Sequence, residues 1–164
     1  MNEAIEREIA ARLTEAGLTL AAAESCTGGL LSARIVDRPG SSAYFMEGLV
    51  TYSNRAKAAR LGVREETLAR FGAVSAETAA EMASGAARTA GTDIGISTTG
   101  FAGPDGGTPE KPVGLVYIGL CVRGQVSAER CLFGGDRRAV RERTVDRALE
   151  LLRAALAQTA SGPR

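Results

Sequence analysis

Leu18-Thr19-Leu20-Ala21-Ala22-Ala23-Glu24-Ser25-Cys26-Thr27-Gly28-Gly29 runs directly into Leu30-Leu31-Ser32-Ala33-Arg34-Ile35-Val36, and the junction between them decides the fold. Leu18 to Ala23 has the length and apolar character of a buried strand, whereas residues 30–36 read as a helix. A strand, a tight turn and a helix in succession start an α/β pattern. Upstream, Ile5, Ile9 and Leu13 recur at helical spacing among charges, so residues 3–16 form an amphipathic helix ending at Gly17. Downstream, a loop over 37–42 leads to a β-leaning stretch from Tyr44 to Tyr52. Asn54 is placed to cap a helix ending near Gly62, and a second short helix fills 64–71 before Gly72.

Ser75 opens an alanine-rich helix through about Ala90, Ile94 to Thr99 is strand-like, and 100–112 is a Gly/Pro loop. Residues 113–122 and 125–133 flank Arg123-Gly124 as an antiparallel hairpin. A last helix from Asp136 carries Val145, Ala148, Leu149, Leu152 and Leu156 on one stripe. The sum is a three-layer α/β/α sandwich with a mixed, mostly parallel sheet of about five strands. One domain over residues 1–158 is expected, with a flexible tail over 159–164.

Composition narrows the chemistry. The 164 residues carry a formal net charge of +1, which gives no electrostatic case for a nucleic-acid or membrane partner. No run is long and apolar enough for a membrane span, and no leader opens the chain, so a cytoplasmic protein is expected. The three cysteines, Cys26, Cys121 and Cys131, lack zinc-type pairing and read as reduced thiols. Histidine is absent, which removes Ser-His-Asp triads, Cys-His pairs and imidazole metal sites. There are 18 arginines but only two lysines, Lys57 and Lys111. Arginine cannot lose its proton under ordinary conditions, whereas a buried lysine can. Chance survival of two lysines in an arginine-biased chain explains the count as well.

Three segments can hold chemistry. Ser25 stands where a strand meets a helix, and the amides of Thr27, Gly28 and Gly29 could hold an oxyanion or phosphate. A plain N-cap and tight turn accounts equally for those residues. Lys57 falls in the first turn of its helix, the wrong end for a cation, so desolvation there would favour its neutral form. Serine–lysine pairs are a working alternative to triads, with Tyr52 able to relay or orient the proton. A surface lysine and a core tyrosine is the other reading. The loop from Ser97 to Gly107 leaves a strand end with hydroxyls and glycines that can wrap a phosphate or ribose, or simply connect to the hairpin. Arg137, Arg138, Arg141 and Arg143 crowd the start of the last helix, where guanidinium forks suit phosphate. Asp105, Glu110 and Asp136 lack the spacing of an all-oxygen cation loop, so no metal and no cofactor are expected.

Together, Ala23-Glu24-Ser25-Cys26-Thr27-Gly28-Gly29, residues 50–57 ending in Tyr52-Ser53-Asn54-Arg55-Ala56-Lys57, Gly72-Ala73-Val74-Ser75, and residues 100–107 followed by Lys111-Pro112-Val113-Gly114 closely resemble the CinA C-terminal-domain family. The resemblance covers about residues 4–156. It implies an anticodon-binding-domain-like sandwich, commonly a homodimer. It also implies nicotinamide mononucleotide amidohydrolase activity, yielding nicotinate mononucleotide and ammonia in pyridine-nucleotide salvage. On this resemblance Ser25 is the nucleophile, Lys57 the base, Tyr52 its partner and Thr99 a hydroxyl near the reacting group. Thr27, Gly28, Gly29, Asn54, Gly100, Ala102, Gly103, Arg137 and Arg141 are then the substrate-binding set. Many relatives carry an N-terminal molybdopterin-binding-like domain associated with pyrophosphatase activity, which is not expected here. A catalytically silent nucleotide-binding module, or a regulatory module linked to competence or DNA damage, is the alternative.

Overall fold

A computed structural model describes residues 3–159. The elements follow the chain as α1 (Glu3–Ala16), β1 (Leu20–Glu24), α2 (Leu30–Val36), β2 (Phe45–Val50), α3 (Asn54–Leu61), α4 (Glu65–Phe71), α5 (Ala76–Ala90), β3 (Ile94–Gly100), β4 (Leu115–Val122), β5 (Gln125–Leu132) and α6 (Arg137–Thr159). The sheet order is β2-β1-β3-β4-β5. β1 pairs in parallel with β2 and β3, while β3–β4 and β4–β5 are antiparallel, so β4 alone runs against the other four strands. This is the expected mixed α/β sandwich. The tail expected after the last helix lies, beyond Thr159, outside the described residues.

Each face of the sheet is covered. Ile5, Ile9 and Leu13 of α1 meet Leu31 and Ile35 of α2 and Val145, Leu149 and Leu152 of α6 over Leu20, Ile94, Ile96 and Ile118. On the opposite face Leu61, Val63, Met82 and Ala86 cover Ala21 and Ala23. Helix α5 lies very close to the strands because glycines face it. A Cβ on Gly95 would stand 2.0 Å from the Ala83 carbonyl oxygen, and one on Gly119 would stand 2.1 Å from that of Ala79. The alanine run of α5 is thus a packing surface. The β4–β5 turn puts both Arg123 (φ 48°) and Gly124 (φ 84°) in the left-handed region, as a two-residue hairpin requires.

One cap differs from expectation. Ser53, not Asn54, caps α3, its hydroxyl accepting from the Ala56 amide at 3.1 Å. Two favoured cap residues stand side by side there, and the extended backbone at Ser53 decides between them. Among the described residues no helix is long and apolar enough to cross a membrane.

Candidate active site

β1 leads to β2 over one face of the sheet, and β2 leads to β3 over the other, passing β1 on the way. Ligands in open α/β sheets bind at such a switch point, beyond the carboxyl ends of the strands. The carboxyl ends of β1, β2 and β3 here border a cavity of about 210 Å³ whose walls include Ser25, Tyr52, Lys57, Val74, Thr99 and Arg137. A larger hollow between α3 and α4 takes Asn54 in its wall and contains no nucleophile. Asn54 therefore stands apart from the other candidates.

Ser25 follows directly from β1, its amide donating to Thr98 O of β3 at 2.9 Å. Lys57 comes from the first turn of α3, and its side chain reaches back under the sheet edge. Its Nζ lies 2.9 Å from Ser25 Oγ and 2.9 Å from the Thr51 carbonyl oxygen. Lys57 is only 1 % exposed and Ser25 9 %. Burial pushes the Lys57 amine below its ordinary pKa, because the charged form loses hydration that two neutral partners do not replace. Among the described residues no carboxylate forms an ion pair with it. Cys26, adjacent to Ser25, has its thiol pushed up to about 12, chiefly by burial. At neutral pH it stays protonated, and no described residue is hydrogen-bonded to take its proton as Lys57 is for Ser25.

Tyr52 is placed otherwise than as a relay. It is 62 % exposed at the cavity mouth, and its hydroxyl accepts from Arg137 Nη2 at 3.1 Å. The direct Lys57–Ser25 contact leaves no gap for a tyrosine to bridge. Arg137 also donates through Nη1 to Gly103 O at 2.7 Å, so it straps the end of β2 to the loop after β3 across the mouth. Thr99 Oγ1 donates to Ala73 O at 2.7 Å and lines the cavity with Gly100 and Ala102. Arg141 donates to Thr27 O at 2.7 Å, behind the Ser25 turn.

The turn itself corrects the expected anion site. The Gly28 amide is used by Ser25 O at 3.1 Å, and that of Gly29 by Glu24 Oε2 at 3.0 Å. Thr27 turns its hydroxyl to Glu24 Oε2 and Thr98 Oγ1, at 2.6 and 2.7 Å. The amides of Gly28 and Gly29 are therefore already satisfied. The Cys26 and Thr27 amides donate to no other described residue. Glu24 escaped sequence reasoning because a charged residue after an apolar strand reads as solvated. So did Lys111, whose Nζ donates to Phe71 O and Val74 O, at 2.6 and 2.7 Å, and pins the wall segment 72–75. Among the described residues no three His, Cys, Asp or Glu side chains gather to hold a metal ion.

Comparison with known proteins places this geometry in a lineage. The family model for the CinA C-terminal domain matches residues 2–156. A relative from Clostridium acetobutylicum, named for competence-damage induction, is 60 % identical over 149 residues. These are 91 % of this chain and 36 % of the relative. A CinA-like protein from Kosmotoga olearia is 56 % identical over 94 % of this chain and 37 % of its own length. This chain thus spans little more than a third of the curated relatives it matches. Among solved structures, a CinA superfamily protein from Klebsiella pneumoniae superposes with a TM-score of 0.92 at 39 % identity, covering 96 % of this chain and 99 % of that one. With residues 2–156 of its 164 matched by that model, this chain belongs to the CinA C-terminal domain family.

Proposed function

We propose that the chain is an amidohydrolase that deamidates nicotinamide mononucleotide, with Ser25 as nucleophile and Lys57 as general base. The observation that carries the reading is a buried amine of lowered pKa, 2.9 Å from a buried serine hydroxyl at the carboxyl end of a sheet. In a chain without histidine, this pair supplies both nucleophile and proton acceptor.

The chemistry follows from the contacts. The Thr51 carbonyl takes one N–H of the neutral amine, leaving its lone pair for the Ser25 proton. Ser25 Oγ then bonds to the carboxamide carbon, made electrophilic by the pyridinium ring, as its proton passes to Lys57. Collapse of the tetrahedral adduct breaks the C–N bond, and Lys57 returns the proton to the departing nitrogen, which leaves as ammonia. Water attacks the resulting ester, giving one proton to Lys57, and Ser25 recovers its hydroxyl proton as the acid departs. The adduct's oxyanion needs donors near Ser25, and the amide of Cys26, the next residue, donates to no other described residue. One such donor typically contributes about 3 kcal/mol.

Thr99, with its proton committed to Ala73, offers lone pairs to the cavity. Arg137 stands at the mouth, where the 5′-phosphate of a nucleotide bound ring-first would emerge. Its two present partners are a neutral carbonyl and a phenol, which a phosphate can replace with a bidentate contact. A cytoplasmic homodimer remains part of the proposal.

The test is ammonia release from nicotinamide mononucleotide by the purified chain with chelator present. Ser25→Ala and Lys57→Met are expected to lose roughly a thousandfold or more in kcat while still melting cooperatively. Full turnover in Lys57→Met removes the base assignment. Nucleotide binding without ammonia release by the unaltered chain removes the enzyme reading in favour of a silent binding module.

A further inference from the structure

Glu24 is fully buried, yet it has no cationic partner among the described residues. Five neutral donors surround its carboxylate. Oε2 accepts from Thr27 Oγ1 at 2.6 Å, from the Gly29 amide at 3.0 Å and from the Leu31 amide at 3.0 Å. Oε1 accepts from the Ser32 amide at 2.8 Å and Ser32 Oγ at 2.6 Å. Unpaired buried charge is costly unless every lone pair is satisfied, and here the satisfaction comes wholly from the turn after Ser25 and the start of α2. The main chain of the same residue continues the network. Glu24 O accepts from the Thr51 amide at 2.8 Å, and Thr51 O holds Lys57 Nζ.

We propose that Glu24 is the positioning residue of the nucleophile. Its carboxylate fixes the turn that presents Ser25 Oγ, and its carbonyl registers the strand end that aims Lys57 at that oxygen. Two features point beyond general stability. Gly28 and Gly29 both sit at positive φ, 57° and 95°, where glycine is unstrained but has wide backbone freedom, so outside contacts hold the turn in this one shape. Moreover, the carboxylate occupies the α2 amides that a substrate anion would otherwise seek. The turn is therefore assembled before any ligand arrives, and α2 offers that ligand no anion site.

The role assigned to Ser25 here rests on the amidohydrolase reading, so the test uses a probe that needs no amide substrate. A fluorophosphonate reacts with an activated serine. The Oγ–P bond forms, the P–F bond breaks, fluoride leaves and the serine proton passes to Lys57. In Glu24→Gln one carboxylate oxygen becomes an NH₂ group facing donors it cannot accept from. The expected result is a labelling rate at Ser25 at least tenfold lower in protein that still melts well above the assay temperature. The acid limb of the pH dependence should stay where it was, because burial, the chief cause of the lowered Lys57 pKa, does not come from the Glu24 carboxylate.

Should Glu24→Gln fail to fold, Thr27→Val tests the same claim by removing the Thr27 bond to Oε2, with a threefold or greater loss expected. A folded variant that labels at the wild-type rate overturns the positioning role, as does an acid limb that shifts with Glu24→Gln. An unaltered chain that labels at Ser25 but releases no ammonia from nicotinamide mononucleotide overturns the amidohydrolase reading and leaves the positioning role standing. An unaltered chain that does not label overturns the positioning role, and one that also releases no ammonia overturns both.

Discussion

A neutral Lys57 can be detected without any substrate, through the pH dependence of folding. Its folded pKa lies below the 10.5 of a free lysine because of burial, so between those two values the unfolded chain binds more protons than the folded one. Stability should therefore rise with pH across that window. Below the folded pKa the full cost of charging a buried amine is present, and above 10.5 it is gone. One proton sets the limiting slope at about 1.4 kcal/mol per pH unit. If the amine is neutral at pH 7, as a base must be, the window already includes pH 7–9. Wild type should then gain up to about 2.7 kcal/mol over those two units relative to Lys57→Met, which keeps the stem but not the proton.

The cysteines oppose this at higher pH. Cys26 and Cys131 have folded values near 12 against 9.0 unfolded, so each loses stabilisation as pH rises past 9. The comparison is thus best confined below pH 9. Urea unfolding at half-unit steps gives the difference between the two proteins directly, provided m is unchanged. Parallel curves from pH 7 to 9 would refute the reasoning, since they would mean that Lys57 stays protonated in the folded chain.

Further expectations concern the surroundings of the pair. Thr51 Oγ1 is buried with no partner among the described residues, so Thr51→Val should stabilise the fold by about 1 kcal/mol, measured by urea unfolding, while the Thr51 carbonyl keeps Lys57 in place. Gly119→Ala drives a methyl to 2.1 Å from Ala79 O and 2.5 Å from Ser97 Oγ. It should cost about 2 kcal/mol, read in a thermal scan as a drop of about 4–8 °C. Lys111→Met frees the segment carrying Ala73 and Val74, so KM for nicotinamide mononucleotide should rise severalfold with a smaller change in kcat. Unaltered KM would show that this wall holds without the ammonium.

Most of the fold could be read locally. Apolar runs, serine caps and glycine stops mark elements within a residue or two of where they lie, and Arg123-Gly124 sits in a turn tight enough to announce the hairpin. Ser25 and Lys57 were legible through residue type, because a histidine-free chain with two lysines leaves few candidates for a base. What escaped depends on contacts across the chain. Tyr52 meets Arg137, 85 residues away, and only their meeting turns a proposed relay into part of the mouth. Glu24 looks like a charge at a strand end until α2 folds back and five donors close on it. Asn54 lost its place because Ser53, one residue earlier, has the extended backbone of a cap.

The most direct measurement is acid-quenched mass spectrometry of the chain during its first turnovers on nicotinamide mononucleotide. An ester of the nicotinate mononucleotide acyl group on Ser25 Oγ, absent from Ser25→Ala, is the predicted result. Ammonia release with no adduct at any time, or a thioester at Cys26 in place of the ester, would contradict it.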